Sequence, residues 1–257
     1  MSNFAPAVEA ATQIISFLSG CEREAGISEI SRETDINKNM VFRILNTLEK
    51  DGWVYCNEQK YALTLLPFKL ASKSLSRLSL NTAATPILYA LANETGESTY
   101  LGILRGDKVL YIQHLDGVRD VRVAGRVGGE YGLYCSAPGK VLLAYADADF
   151  LEKILLGDLE KRTQNTITEK SALLSELESI RKNGYATDCE EFGNGITCVA
   201  SPVFDHTGKV VGTVGCSAYT VNGDSDTVIK RLLPSVLSSA EKLSVRLGAE
   251  AGHRFKI

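Results

Sequence analysis

The residues with the greatest chemical potential lie together in the run TDCEEFGNGITC, residues 187–198. This run places three carboxylates and two thiols around two glycines. Carboxylates and thiols hold metal ions, act as bases or nucleophiles, and form polar walls of binding pockets. Three kinds of site are therefore open: a metal site, a thiol nucleophile beside its base, and a pocket that binds without reacting.

A metal site has enough ligand types but lacks the spacing. The candidate ligands are Asp188, Cys189, Glu190, Glu191, Cys198, His206 and Cys216. They match no closed structural zinc pattern. Alternation along a strand also sends neighbours such as Asp188 and Cys189 to opposite faces of a sheet. We expect no metal and no other cofactor, and a metal-binding sensor that uses Cys198 and Asp188 is the alternative.

A thiol nucleophile at Cys198 would need a base and an electropositive environment. The nearest ionisable residues within residues 187–198, Glu191 and Glu190, are carboxylates, which raise the pKa of a thiol and do not activate it. Among the histidines, His206 falls in a predicted turn and His253 in the tail, so neither is an obvious partner. We therefore predict no catalytic residue, and a thiol enzyme that uses Cys198 is the competing hypothesis.

Length and composition frame the rest of the chain. With 257 residues, two domains are expected. The formal net charge of −3 gives no global attraction to nucleic acid, so any polyanion must bind at a local patch. No apolar run is long enough to span a bilayer, and the start MSNFAPAVEAATQ has no basic segment followed by an apolar one. We expect a cytoplasmic protein with no membrane partner and six reduced cysteines.

Two short helices are predicted at the start of the chain. The first covers residues 7–19, with an apolar stripe at helical spacing formed by Val8, Ala11, Ile15 and Leu18. In the second, Ser28 is the predicted N-cap and Glu29 follows in the first turn.

A third helix and a hairpin complete this region. The core stripe of the helix is Val41, Ile44, Leu45 and Leu48, and Asp51-Gly52 ends it. WVYCNEQKYALT then reads as two strands around the turn Asn57-Glu58-Gln59. Three helices and a two-stranded wing predict a winged helix-turn-helix over residues 1–66.

The face of the third helix opposite the stripe carries hydrogen-bond donors and no acid. Residues 1–66 hold six basic and nine acidic residues, so charge alone does not favour DNA over a protein-binding module. Asn39 and Arg43 suit readout of adenine and guanine edges, and lysines suit phosphates. The predicted DNA-binding residues are Lys38, Asn39, Met40, Arg43, Asn46, Lys50 and Lys60.

A linker helix is predicted over residues 67–80, followed by a mixed domain over residues 81–257. Its first helix closes at Gly96, and a hairpin follows around Arg105-Gly106-Asp107. A third strand is predicted in VRDVRVAGRV, residues 118–127, and further helices begin at SAPGKV. Two central antiparallel strands surround the turn at residues 206–208, and a long helix ends the chain. The predicted fold is α+β, with an antiparallel sheet flanked by helices.

Five motifs, in this order, resemble the IclR family of bacterial transcriptional regulators. They are NMVFRILNTLEKDGWV, YALTLLPFKLA, LYCSAPGKVLLAY, GYATDCEEFGNGITCVASPVFD and GKVVGTVGCSAY. The resemblance implies a winged helix-turn-helix, a linker helix that helps dimerisation, and a C-terminal effector domain related to GAF domains. It also implies dimers or tetramers on palindromic double-stranded DNA operators, with repression the commoner mode. Where the family has small hydroxylated residues, this chain has Asn39-Met40.

The resemblance further implies an effector cup on the sheet. The matching positions are Val123, Tyr131, Ala137, Pro138, Asp188, Ile196, Cys198, Gly215 and Ser217. The helix N-terminus at residues 137–140 would offer N–H groups to a carboxylate. A small organic or sugar acid is the expected effector. On this hypothesis Asp188 and Cys198 contact the ligand, whereas Glu190 and Glu191 hold the turn in shape.

Overall fold

The computed structural model describes residues 5–67, 69–70, 79–220 and 224–250. The chain divides into two compact units, Met1–Arg77 and Leu78–Ile257. In the part of the chain so described, no helix combines the length and the apolar character needed to cross a membrane.

The first unit is a winged helix-turn-helix, as predicted. Its elements are α1 (Pro6–Ser19), β1 (Ala25–Gly26), α2 (Ile27–Thr34), α3 (Lys38–Lys50), β2 (Val54–Asn57) and β3 (Lys60–Leu63). The three strands form one antiparallel sheet in the order β1-β3-β2.

Local sequence explains the position of α3. The Asn37 side chain accepts a hydrogen bond from the Met40 N–H and so caps the first turn. Val41, Ile44 and Leu45 are buried on the predicted stripe. After Lys50 the chain leaves the helix at Gly52, whose φ of 77° lies in the left-handed region that glycine adopts freely.

The predicted apolar stripe of α1 is correct only in part. Leu18 is buried and Ala11 packs against the core, whereas Val8 is 63% exposed. The other buried residues are Ala10 and Ile14, because packing against α2, α3 and β3 selects the row one position earlier. The predicted N-cap of the second helix is wrong. Ser28 is not an N-cap, because α2 already begins at Ile27 behind the strand residues of β1.

The second unit is built on one six-stranded antiparallel sheet in the order β6-β5-β4-β9-β8-β7. Its strands are β4 (Ser98–Arg105), β5 (Lys108–Leu115), β6 (Glu130–Gly132), β7 (Ala186–Cys189), β8 (Ile196–Phe204) and β9 (Val210–Tyr219). Its helices are α4 (Leu80–Thr95), α5 (Ala137–Ala144), α6 (Ala148–Leu156), α7 (Lys170–Asn183) and α8 (Ser225–Arg246).

Both faces of this sheet are covered, which explains why β8 and β9 are apolar runs. Val199 and Cys216 pack on one face with residues of α4 and α8. Tyr100, Cys198 and Ala200 pack on the other face with residues of α5 and α7. Successive residues of a strand point to opposite faces, so neighbours in sequence belong to different cores.

The predicted hairpin at residues 105–107, the α4 stop at Gly96 and the final long helix are confirmed. The strand predicted over residues 118–127 is wrong, because the third strand of this sheet edge is Glu130–Gly132. The earlier segment contributes Val123, Ala124 and Gly125 to a cavity wall instead. It is tied down by the Ser98 hydroxyl, which donates to Val123 O over 2.7 Å.

The linker prediction is covered only at its ends. Residues 66, 67, 69 and 70 are helical, and residues 68 and 71–78 of the connector lie outside the described residues. At the far end, Ser79 caps α4 through a hydrogen bond from the Thr82 N–H, so Leu80 belongs to the next helix.

Candidate functional site

The outer face of α3 presents the side chains predicted to contact DNA. Six of the seven are exposed: Lys38, Asn39, Arg43, Asn46, Lys50 and, at the start of β3, Lys60. Met40 differs, because it is half-buried and packs against the core of the first unit. Its side chain therefore supports the helix more than it faces a groove.

Phe42 also lies on the exposed part of α3 and was missed from the sequence. Its side chain is 49% exposed, one residue before Arg43 and three after Asn39. An exposed aromatic ring on a reading helix suits the thymine methyl group in the major groove. The available signal was its position outside the stripe of Val41, Ile44 and Leu45.

The strand register brings several candidate residues of the second unit into one transverse row. Asp188 of β7 lies opposite Cys198 of β8, Cys198 opposite Ser217 of β9, and Ser217 opposite Ser98 of β4. Paired residues share a face of the sheet. Cys198 Sγ and Ser217 Oγ are 3.1 Å apart and form a hydrogen bond. Residues far apart in sequence thus form one polar line across the sheet.

A cavity of about 70 Å³ lies over this row. Seven of the nine predicted effector residues line it: Val123, Tyr131, Pro138, Asp188, Ile196, Cys198 and Ser217. Further lining residues, which sequence reasoning missed, are Tyr111, His114, Ala124, Gly125, Ser136 and Phe192. The sequence gives little sign of their role, because residues 124–125 fall in a predicted strand and the aromatic side chains have the pattern of hydrophobic core residues.

Ala137 and Gly215 do not line the cavity. Ala137 is fully buried in the core formed with α7 and the sheet. Gly215 lies beneath the Tyr100 hydroxyl and Val199 O, so close that an added Cβ would overlap both. The glycine therefore makes room for the Tyr100 ring and does not contact the cavity.

The N-terminus of α5 is not the open carboxylate site that was predicted. The Gly139 N–H donates to Ser136 Oγ over 3.2 Å, and the Lys140 N–H donates to Ser136 O over 2.9 Å. Pro138 has no N–H. Of these first four helical residues, at most Ala137 has an N–H to offer, because the chain itself caps the helix.

Asp188 has one satisfied and one unsatisfied oxygen. Oδ1 accepts hydrogen bonds from the N–H groups of Glu191 at 2.7 Å and Phe192 at 3.2 Å. Oδ2 is buried and has no hydrogen-bond partner among the described residues. Burial, with a smaller contribution from Glu191, raises the pKa of Asp188 to about 7. This carboxyl group therefore titrates near neutral pH.

Glu190 and Glu191 have different roles. Glu190 holds the turn, as predicted: its φ is 60°, and its Oε2 accepts from the Gly195 N–H at 2.7 Å. Glu191 instead forms an ion pair with Lys140, with Oε1 2.5 Å from Nζ. Glu176 Oε1 lies 3.3 Å from the same Nζ. Burial alone would lower the pKa of Lys140, but these carboxylates raise it, so the ammonium stays charged.

The thiols lack the environment of a nucleophile. Burial, and then the charge of Asp188, raises the pKa of Cys198 well above its usual value. His114 lines the same cavity, but burial lowers its pKa, so it does not supply an imidazolium. All six cysteines are free. Within the described ranges, no three His, Cys, Asp or Glu side chains are grouped to hold a metal.

A winged helix-turn-helix with an exposed polar third helix, followed by a sheet domain with a small cavity, is the architecture of a DNA-binding transcriptional regulator. The family description "bacterial transcriptional regulator IclR C-terminal" matches residues 72–245. The IclR helix-turn-helix domain matches residues 7–57. This chain belongs to the IclR family of transcriptional regulators.

Individual relatives agree with this assignment. The HTH-type transcriptional regulator KdgR of Escherichia coli K12 is 35% identical over 232 residues, which are 89% of this chain and 88% of KdgR. The DNA-binding transcriptional repressor YiaJ of the same organism is 32% identical over 241 residues, 91% of this chain and 85% of YiaJ. The Agrobacterium tumefaciens repressor BlcR shares the fold, with a TM-score of 0.81, 21% identity and coverage of 97% and 100%.

Proposed function

We propose that this regulator is a repressor whose operator affinity is controlled by a small organic or sugar acid bound in the cavity beside Asp188, Cys198 and Ser217. The observation that carries the proposal is the transverse row of these three side chains along one cavity. Such a cavity has the mixed apolar and polar lining of a small-molecule site. YiaJ, a relative, is named as a repressor, which supports the mode of action.

On the DNA side, the exposed residues of α3 read bases and the lysines hold phosphates. Asn39 and Arg43 lie in the first two turns of α3, where a reading helix meets base edges. The partner is a palindromic operator, because a dimer or tetramer of identical chains presents its reading helices with two-fold symmetry. A regulator that works on the chromosome acts in the cytoplasm.

The geometry favours recognition over reaction at Cys198. A buried thiol beside a carboxyl group stays protonated, and a thiol is a poor nucleophile. The Cys198 Sγ already forms a hydrogen bond with Ser217 Oγ. The sensing domain therefore binds its effector without an enzymatic step and without a cofactor.

A ligand screen tests the effector assignment. The full chain is screened by thermal shift against organic and sugar acids, and each acid that raises the melting temperature is added to a gel-shift assay with the operator. Linkage requires that an effector bind the DNA-competent and DNA-incompetent forms unequally. We expect at least one acid to stabilise the chain and to change operator binding. If no acid does either, the effector proposal is wrong.

Cys198→Ser separates a regulator from a thiol enzyme. In a regulator this variant keeps operator binding and changes the concentration of acid needed for the response. Exposed Cys56→Ser is the matched control and should change neither. Acid-consuming turnover that disappears in Cys198→Ser and persists in Cys56→Ser would establish the enzyme instead.

A further inference from the structure

The lining of the cavity beside Asp188 provides no positive charge to neutralise an acidic ligand. None of the residues that line it is Lys or Arg. Burial lowers the pKa of its single histidine, His114, against a smaller opposing effect of Asp116, so the imidazolium is disfavoured. The nearest buried cation, Lys140, is already paired with Glu191 and Glu176. A bound carboxylate would therefore meet no positive side chain in the lining.

An ionised Asp188 would also repel an acidic ligand, because it adds a negative charge to the lining. At 5 Å or less, two carboxylates in a medium of low dielectric constant repel each other strongly. Oδ1 already accepts two backbone hydrogen bonds, so Oδ2 is the oxygen left for a ligand. A buried carboxyl oxygen without a hydrogen-bond donor either accepts a hydrogen bond from the ligand or is itself protonated and donates one.

The surroundings of Asp188 favour the second state. Many titratable groups act on Asp188 or share its pocket: Glu191 after β7, Lys140 on α5, Cys189 on β7, Cys198 on β8, Tyr100 on β4, Tyr111 and His114 on β5, Tyr131 on β6, and Cys135 before α5. Only Lys140 among these is positive at neutral pH, and its two carboxylate partners offset it. Arg126 acts on Tyr131, and Arg162 lies 4.2 Å from the centre of the Phe192 ring, but neither arginine lines the cavity. Burial and Glu191 both act against the charge on Asp188.

We propose that the cavity binds a compact carboxylate anion through a hydrogen bond donated by the neutral carboxyl group of Asp188, so that binding takes up a proton wherever that carboxyl group is ionised in the free chain. The proton comes from solvent and bonds to Oδ2; no covalent bond of the ligand forms or breaks. The Oδ2–H then donates to the ligand carboxylate. The Ser217 hydroxyl adds a second donor when the Cys198 S–H is the donor of the Cys198–Ser217 hydrogen bond. The inference rests on the proposed function, since it takes the effector to be an acid.

The size of the cavity limits the anion. Its volume is about 70 Å³, well below the roughly 300–1,000 Å³ of pockets that bind drug-sized ligands. A small anion therefore suits this cavity better than a large one. Glycolate, with one hydroxyl and one carboxylate, is a suitable probe of this class.

The test is calorimetric titration of the full chain with glycolate, glycolamide and ethanolamine, which have similar shapes but negative, neutral and positive charge. Each titration is run between pH 6 and pH 8 in two buffers with different ionisation enthalpies, which counts the protons taken up. Asp188→Asn is the decisive variant, because its amide can keep the Oδ1 contacts and place an N–H at the position of Oδ2. Asp149→Asn, at an exposed position on α6, is the control.

For the wild type we expect glycolate to bind about tenfold more weakly at pH 8 than at pH 6, with uptake close to one proton at pH 8. Asp188→Asn should bind glycolate with no pH dependence and no proton uptake, and should exceed the wild type at pH 8. Asp149→Asn should behave like the wild type. Ethanolamine binding more tightly than glycolate would overturn the proposal, since it would show an ionised Asp188.

Two further outcomes separate this inference from the proposed function. Glycolate binding without proton uptake, or loss of binding in Asp188→Asn, would refute the proton-coupled mode and leave an acid effector intact. Absence of glycolate binding at every pH would refute a compact anion in this cavity. The wider acid screen then decides the effector proposal independently.

Discussion

The backbone N–H of Glu191 donates a hydrogen bond to Asp188 Oδ1 over 2.7 Å, yet only one of the two buried carboxyl groups has a cationic partner. Glu191 reaches Lys140 Nζ, whereas Asp188 forms no salt bridge among the described residues. The cluster therefore uses its one buried cation for Glu191 and leaves Asp188 to the cavity. This division makes Glu191 a structural residue and Asp188 the candidate contact for a ligand.

Lys140→Met should destabilise the folded chain strongly. The variant leaves Glu191, which is 6% exposed, without its partner, and an uncompensated buried charge costs about 3–5 kcal/mol. Chemical denaturation of the full chain measures the loss. The double variant Lys140→Met/Glu191→Leu should recover much of it. Exposed Lys153→Met is the control, with an expected change below about 0.5 kcal/mol. Equal losses of stability in Lys140→Met and Lys153→Met would show that the Lys140–Glu191 ion pair does not stabilise the fold.

The pH dependence of stability should reveal Asp188. Its pKa is raised from 3.8 to about 7 in the folded chain, so between these values the folded state binds the extra proton. The stability due to the neutral carboxyl group is complete below about pH 4 and is lost as the pH rises through about 7. Asp188→Asn lacks this loss. Its free energy of unfolding relative to the wild type should rise by up to about 1.4 kcal/mol per pH unit from pH 4 to 7 and then level off. Parallel pH profiles for the two proteins would contradict the raised pKa.

Arg43→Ala should reduce specific DNA binding more than non-specific binding. A bidentate contact from arginine to a guanine edge contributes about 1–3 kcal/mol of discrimination. Lys50→Ala is the matched contrast, because loss of a phosphate contact weakens binding to all sequences and lowers the salt slope by about 1. Fluorescence anisotropy on operator and random duplexes at several salt concentrations measures both. If Arg43→Ala weakens the two duplexes equally, Arg43 does not read bases.

Phe42→Ala should relax the operator preference at a thymine. The ring is 49% exposed, and its loss removes an apolar contact with a methyl group without opening a core cavity. The melting temperature should stay within about 2 °C of the wild type. Replacing each operator thymine by uracil removes its methyl group, so at one position wild-type affinity should fall to the level of the variant. A variant with unchanged preference at every thymine would exclude Phe42 from base contact.

Gly215→Ala should destabilise the second unit, because the new Cβ overlaps the Tyr100 hydroxyl and Val199 O. Backbone of the neighbouring strand cannot move away cheaply, so a cost of about 1–3 kcal/mol is expected. Gly193→Ala is the control, since the nearest atom to its Cβ would be Ile196 Cδ1 at an ordinary 3.5 Å. Thermal unfolding of both variants measures the difference. A Gly215→Ala variant as stable as Gly193→Ala would show that Tyr100 can shift.

Several features could be read from the sequence because local physics decides them. The apolar spacing of Val41, Ile44 and Leu45 predicts the buried side of α3 and therefore its exposed side. Glycine in the left-handed conformation ends α4 at Gly96, where the sequence places the stop. The long apolar runs of β8 and β9 predict strands covered on both faces.

Other features needed the tertiary structure. Val8 and Ile14 both have helical spacing in α1, and only packing decides that Ile14 is buried and Val8 exposed. Residues 118–127 have the composition of a strand, but β6 takes its place at the sheet edge and leaves Val123 over the cavity. Local preference cannot choose between such alternatives because the competing conformations have similar intrinsic energies.

By itself the sequence determined the winged helix-turn-helix, the α+β second domain and the polar run at residues 187–198. Only the tertiary structure decided what that run does. The register of β7 and β8 places Asp188 beside Cys198, and α5 brings Lys140 to Glu191 from 51 residues away along the chain. The distribution of one buried cation among several carboxylates depends on distances in space. Those distances settle which acid is neutralised by the protein and which one faces the cavity.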